Sequence, residues 1–201
     1  MSVSAADVKA LRERTGAAMM DCKAALIEAE GDSERAVELL RVKGQASAAK
    51  REGRGTEEGV VSAYIHANDR VGAMVEVQCE TDFVARNEDF KAFAYEVALH
   101  IAATAPRYVS SEEIAVEERE AERRVFEAKA REEGKPDGVV EKIVEGQLAK
   151  WASEVALLDQ SHVNADKHDS KTIEELRQDL AAKTGENIRV ARFTYFRVGE
   201  A

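Results

Sequence analysis

The stretch VQCETDFVARNEDF, residues 77–90, brings a thiol and several carboxylates close together in the sequence. Cys79 could act as a nucleophile, and Glu80 with Asp82 could act as an acid–base pair. Cys79, however, lies on the alternating apolar positions of a predicted strand, so a buried and inert thiol is the better interpretation. The two carboxylates flank no recognisable nucleophile, and carboxylates near a helix start usually interact with backbone amides. We therefore predict no catalytic residue in this stretch.

Two of the four histidines are candidate metal ligands. His162 and His168 lie six residues apart in a polar stretch, where they could bind a metal ion or could be a pair of solvated side chains. No cysteine or carboxylate stands at a spacing typical of a zinc site, which favours the solvated pair. His66 and His100 are interpreted as structural or surface residues. Because the sequence also lacks a Walker-type phosphate loop and a G-x-S-x-G motif, we predict no metal, no cofactor and no enzymatic activity.

The composition of the 201-residue chain narrows the class of partner. The net charge of −10 opposes binding to a nucleic-acid backbone, which depends on clustered Lys and Arg. The sequence contains no apolar run long enough to cross a membrane and no signal peptide. The two cysteines form neither a C-x-x-C motif nor a disulfide framework. We expect a cytoplasmic protein that binds neither nucleic acid nor membranes.

The elements that position these residues begin with three short helices, predicted over residues 1–43. We expect the second helix to bury a face that contains Met20, Ala24 and Ile27, and the third helix to end at Gly44. A bundle of this size has little core to spare. The glycine-rich residues that follow contain almost no apolar side chain, so 44–59 is predicted to be a linker.

Residues 60–201 are predicted to form the core domain. Two alternating strands, 60–66 and 71–79, flank a hairpin turn, and a third strand is predicted over 187–198. The helices are expected at 87–105, 139–155 and 172–185, with an exposed, highly charged helical segment at about 111–133. The predicted fold class is α+β, with an N-terminal three-helix bundle and helices packed on a small three-stranded antiparallel sheet.

Phe83 is a large aromatic residue in a connection between a strand and a helix, where polar residues are usual. Judged from its immediate neighbours, Phe83 is interpreted as folding back onto its own core, and a purpose outside the molecule is the alternative.

Two longer stretches bear on this choice. VEVQCETDFVARN (75–87) and LRERTGAAMMDCKAAL (11–26) resemble the two signature stretches of the elongation factor Ts family. The resemblance extends to HIAATAPRYVS, GKPDGVVEKIVEGQLAKW and TGENIRVARFTYFRVGE, and so covers nearly the whole chain. Members of this family are guanine-nucleotide exchange factors of elongation factor Tu.

The resemblance implies a function for the loop at 81–84. In the family, this loop projects into the nucleotide-binding domain of elongation factor Tu, where its Phe inserts between helices and disturbs the region that holds Mg²⁺ and the phosphates. The corresponding residues here are Thr81, Asp82, Phe83 and Val84. The expected partner is elongation factor Tu, in its GDP-bound and nucleotide-free forms.

The resemblance also implies a second contact, made by an N-terminal module similar to a ubiquitin-associated (UBA) three-helix bundle. The matching residues are Arg12, Met19 and Met20, although the two methionines could equally be ordinary core of the bundle. Longer relatives contain two copies of the strand-containing core, and this chain has one. We therefore expect it to form a homodimer.

Two other function classes compete with an exchange factor. One is a pure interaction module, in which the bundle binds a peptide or a ubiquitin-like protein and the core is a scaffold. The other is an enzyme that uses Cys79 or the carboxylate pair.

Overall fold

In the computed structural model the described residues are 3–200, and the side chains of residues 45, 48, 49 and 137 lie outside that description. Within this part of the chain, eight α-helices and three strands follow one another. They are α1 Ala5–Thr15, α2 Met19–Glu28, α3 Ser33–Ala49, β1 Glu58–Ile65, β2 Val71–Cys79, α4 Asp82–Ala85, α5 Glu88–Thr104, α6 Val116–Glu132, α7 Asp137–Val155, α8 Ile173–Thr184 and β3 Arg189–Arg197. The predicted α+β class is confirmed.

The sheet is antiparallel with the strand order β1-β2-β3, so β2 is its central strand. The predicted hairpin turn between β1 and β2 is present, and the His66 N–H donates to the Val71 carbonyl at 2.9 Å. Asp69 takes the left-handed conformation, φ 55°, that such a turn requires. The alternating positions Ala73, Val75, Val77 and Cys79 of β2 are buried.

The chain divides into two compact units that differ from the predicted domains. The first contains residues up to 60 together with 77–94 and 175–189, and the second contains 61–76, 95–174 and the residues from 190 onward. The division into a module at 1–43, a linker at 44–59 and a core at 60–201 stays a prediction.

The three N-terminal helices have well-defined ends. Ser4 and Asp7 form a reciprocal capping box at the start of α1, and Gly16 ends that helix in the left-handed conformation with φ 68°. The Asp32 carboxylate accepts the backbone N–H groups of Glu34 and Arg35 at the start of α3. The buried core of this bundle consists of Val8, Leu11, Cys22, Ala25, Leu26, Ala29 and Ala36.

The predicted buried face of α2 is wrong. Met20, Ala24 and Ile27 are exposed, whereas Cys22 and Ala25 are fully buried. The sequence of α2, MMDCKAALIE, contains two sets of apolar residues that each recur at helical spacing, on faces about 100° apart, so the helical period alone does not decide which face is buried. Cys22, Ala25 and Leu26 take the inner face of α2, and Met20, Ala24 and Ile27 are left outside.

The predicted end of the third helix at Gly44 is also wrong, because α3 continues to Ala49. A glycine inside a helix costs about 1 kcal/mol relative to alanine. At this position a β-carbon would lie 3.4 Å from the Ala182 Cβ, so the glycine permits a close approach to α8. The first part of the predicted linker is therefore helical.

In the second unit, α6 and α7 form a helical hairpin. It buries Ala130 of α6 against Val140, Val144 and Leu148 of α7. The segment 111–133, predicted to be helical and highly charged, consists of a short 3₁₀ turn followed by α6, whose surface is mostly charged. Among the described residues, no helix is long and apolar enough to cross a membrane.

Candidate functional site

Phe83 lies on α4, a single helical turn directly after β2. Thr81 caps this turn, and its hydroxyl accepts the Val84 N–H at 3.4 Å. Val84 and Ala85 are buried and hold the turn on the protein, whereas 81% of the Phe83 side chain is exposed. Phe83 thus does not fold back onto its own core.

A single carboxylate holds the backbone where β2 ends and α4 begins. Glu186 Oε2 accepts the N–H groups of Glu80 and Thr81, each at 3.0 Å. Its other oxygen, Oε1, accepts the Thr81 hydroxyl at 2.6 Å. Hydrogen bonds to an ionised acceptor are stronger than neutral ones, so three of them on one carboxylate fix the direction of this segment. We call Glu80, Thr81 and Glu186 the carboxylate clamp.

The clamp is reciprocal, because Glu80 binds the segment that carries Glu186. Glu80 Oε1 accepts the Asn187 N–H at 2.6 Å and forms an ion pair with Arg54 at 3.3 Å. The Asn187 side chain donates to the Arg54 carbonyl at 3.0 Å. Sequence reasoning missed Glu186, because about a hundred residues separate it from Thr81 and no local pattern links the two.

Cys79 is buried beside the clamp. Its thiol donates to the Thr81 carbonyl at 3.2 Å. Burial, reinforced by the negative charge of Glu186, raises the pKa of Cys79 to about 11, so the thiol stays protonated at neutral pH. This environment favours the inert thiol over the nucleophile. Asp82 forms an exposed ion pair with Arg86 at 3.1 Å.

The residues expected to make the second contact lie at the surface of the N-terminal bundle. Met19 and Met20 begin α2, with 46% and 70% of their side chains exposed. Arg12 is exposed on α1 and makes no ion pair within the described residues. The interpretation of both methionines as ordinary bundle core is wrong. These residues and the loop at 81–84 belong to the same compact unit.

The histidines are less exposed than the sequence indicates. His162 is buried although it lies in a polar loop, so the interpretation of His162 and His168 as a solvated pair is wrong. His100 is fully buried, and its two ring nitrogens interact with the Gln160 amide oxygen at 2.8 Å and the Val163 N–H at 3.0 Å. His66 is exposed beside Tyr64.

Comparisons with known proteins agree with the motifs. The sequence profile of the family described as Elongation factor TS matches residues 23–169. The chain is 53% identical over 193 residues to the elongation factor Ts of Carboxydothermus hydrogenoformans, which covers 96% of this chain and 88% of the relative. It is 50% identical to that of Thermotoga neapolitana, over 100% of this chain and 99% of the relative. It is 49% identical to that of Geobacter metallireducens, over 100% of this chain and 91% of the relative. The chain belongs to the elongation factor Ts family, whose members are translation elongation factors.

Proposed function

We propose that this protein is the guanine-nucleotide exchange factor of elongation factor Tu, and that Phe83 is the residue that loosens the bound nucleotide. The observation that carries this proposal is the position of Phe83, exposed at 81% on a turn whose backbone the carboxylate clamp holds. A phenylalanine this exposed gives its own protein little hydrophobic stabilisation. A ring held outward on a fixed support suits insertion into another protein.

The energies involved are of the required size. Burying a Phe side chain contributes about 1.5–3 kcal/mol. The coupling free energy between two ligands of one protein is commonly about 1–3 kcal/mol. One inserted ring, with Asp82 beside it, can therefore weaken the partner's hold on Mg²⁺ and GDP. This mechanism requires only tighter binding to the nucleotide-free form than to the loaded form, and no catalytic group.

The N-terminal bundle supplies the second contact in this proposal. Met19 and Met20 present flexible, polarizable side chains that adapt to an uneven surface, and Arg12 adds a charge with no ion-pair partner among the described residues. The protein partner also fits the net charge of −10, which disfavours nucleic acid. A partner of this kind puts the protein in the cytoplasm.

Stopped-flow release of fluorescent GDP from elongation factor Tu tests the proposal. We expect Phe83→Ala to bind the partner but to lose between about 5-fold and 150-fold of the acceleration, the range that couplings of this size produce. Val125→Ala, which removes an exposed apolar side chain from α6, is the control and should release GDP at the wild-type rate.

Two outcomes would contradict the proposal. If Phe83→Ala, checked by circular dichroism to be folded, accelerates release as fast as the wild type, Phe83 is not the active group. If the wild type binds tightly but GDP leaves at its spontaneous rate, the protein is an interaction module rather than an exchange factor.

We further infer that the protein forms a homodimer through its sheet. The outward face of the sheet in the second unit exposes Val61, Ile65, Met74 and Phe196. A row of apolar side chains on an open sheet favours association. Light scattering at micromolar concentration should give the mass of two chains, and Phe196→Glu should give the mass of one. A wild-type protein that is strictly monomeric would reject the dimer.

A further inference from the structure

Three side chains of the second unit meet at one point. Glu96 extends from α5, and His162 and His168 come from the loop between α7 and α8. Glu96 Oε2 lies 3.4 Å from His162 Nε2 and 3.6 Å from His168 Nε2. One potential ligand atom from each of the three residues falls within 4.8 Å of the others. All three side chains are at least four-fifths buried.

Two of these atoms have unmet bonding capacity. Glu96 Oε2 and His168 Nε2 are buried and have no hydrogen-bond partner among the described residues. Buried polar atoms in native proteins are nearly always paired, so two unpaired atoms that face each other require an explanation. Glu96 Oε2 lies 3.6 Å from His168 Nε2 and 3.4 Å from His162 Nε2, and these separations suit ligands of a common ion better than directly bonded partners.

We propose that Glu96, His162 and His168 form a binding site for a divalent transition-metal ion of the zinc class. Zinc binds His nitrogen and carboxylate oxygen at about 2.0–2.2 Å, and a tetrahedral site with such bonds separates its ligand atoms by about 3.4 Å. Two imidazoles and one carboxylate leave a fourth position for water. Borderline ions such as Zn²⁺ prefer this mixture of nitrogen and oxygen, whereas Mg²⁺ and Ca²⁺ prefer oxygen alone.

The neighbouring groups define which atoms are available. The Lys167 ammonium forms an ion pair with Glu96 Oε1, which leaves Oε2 for the metal ion. The His100 ring stacks on His162 with a centroid separation of 5.4 Å, but both of its nitrogens already have partners.

Binding requires a local rearrangement at His162. Its Nδ1 accepts the Asn164 N–H at 3.0 Å, so the ring proton resides on Nε2, which donates to the Glu96 carbonyl at 3.3 Å and must give up this hydrogen bond to bind a metal ion. When Nε2 binds the metal ion, the proton moves to Nδ1 and the hydrogen bond from Asn164 is lost. The proton is retained on the ring, and the loop residues 162–164 shift. Metal binding is thereby coupled to the conformation of this loop.

Co²⁺ titration of the untagged, full-length protein tests the site, because tetrahedral Co²⁺ has characteristic visible absorption bands. The wild type should bind one equivalent, and Zn²⁺ should displace it. Glu96→Gln and His168→Gln should each weaken Co²⁺ binding by at least about tenfold. Even the loss of a residue that only hydrogen-bonds to a metal ligand commonly lowers metal affinity by about that factor. His66→Gln removes an exposed histidine elsewhere and should bind like the wild type.

Thermal unfolding gives a second measurement, since a ligand that binds only the folded state raises the midpoint. Zn²⁺ should raise it for the wild type and His66→Gln but not for His168→Gln, whose side chain lies at the edge of the cluster. Absence of the cobalt bands at one equivalent, or equal binding by all four proteins, would mean an adventitious ion only and would overturn the proposal. Neither measurement involves elongation factor Tu, so a failure of the metal-site proposal leaves the proposed exchange function untouched.

Discussion

Two parts of the first compact unit expose apolar side chains, and they are held very differently. Phe83 stands on a turn whose base donates three hydrogen bonds to the Glu186 carboxylate, two from the backbone N–H groups of Glu80 and Thr81 and one from the Thr81 hydroxyl. Met19 and Met20 begin a helix whose N-cap residue, Ala18, offers no side-chain hydrogen bond. The first region combines a rigid ring with a fixed base, and the second combines flexible side chains with an uncapped helix start.

This difference indicates a division of labour between the two regions. An aromatic ring on a preorganised support loses little conformational entropy on binding, so most of its burial energy is available to displace something in the partner. Methionine side chains adapt to the surface they contact, so they contribute to binding affinity rather than displacing groups of the partner. We therefore expect the loop at 81–84 to govern the rate of GDP release, and the methionines to govern how tightly the complex forms.

The largest effect in this comparison is expected from removing the clamp. Glu186→Ala leaves the partly buried N–H groups of Glu80 and Thr81 without their acceptor, and each unpaired group costs at most about 1–3 kcal/mol, the penalty of a fully buried one. We expect urea unfolding to give a lower free energy of unfolding. We also expect the rate of GDP release, measured at a saturating concentration of this protein, to fall about tenfold or more, which lies within the range that coupling free energies between two ligands produce.

Glu186→Gln is the matched control for this change. It keeps one oxygen for the backbone N–H groups, and its amide can donate to the Thr81 hydroxyl, so its release rate should fall between those of the wild type and Glu186→Ala. If Glu186→Ala is as active as the wild type, a fixed base is unnecessary and the contrast between the two regions has no functional meaning.

A smaller effect is expected at the methionines. Met20→Ala removes part of an adaptable contact worth about 1 kcal/mol, so the dissociation constant for nucleotide-free elongation factor Tu should rise about fivefold. The release rate at saturating factor should stay unchanged, because Phe83 still inserts. Ile27→Ala, another exposed apolar side chain on α2, serves as the control.

Isothermal titration calorimetry gives the affinity, and stopped-flow fluorescence at saturation gives the rate. A drop in the saturated rate for Met20→Ala, with unchanged affinity, would reverse the assignment of roles.

Local sequence patterns predicted the elements better than the faces and the long-range contacts. The alternation in β2 depends on neighbouring residues, and the structure has this strand where the sequence predicts it. The buried face of α2 was predicted wrongly because two apolar stripes fit the helical period, and the choice between them depends on α1 and α3.

The features missed from the sequence join distant segments. Glu186 meets Thr81 across about a hundred residues, and Glu96 meets His162 across more than sixty. Spacing rules for metal ligands and catalytic groups describe local motifs, so they could not find either cluster. The immediate neighbours of Phe83 favour an inward ring, and the structure has it 81% exposed, because the choice depends on the distant support beneath the turn.

The most direct test of the central claim follows the Phe83 ring itself, with 4-fluorophenylalanine incorporated at this position. Fluorine NMR with a soluble paramagnetic agent should show strong broadening of this signal in the free protein. The signal should be protected from broadening in the complex with nucleotide-free elongation factor Tu. A ring that remains equally broadened when the complex is saturated would contradict the account, because it would not be inserted into the partner.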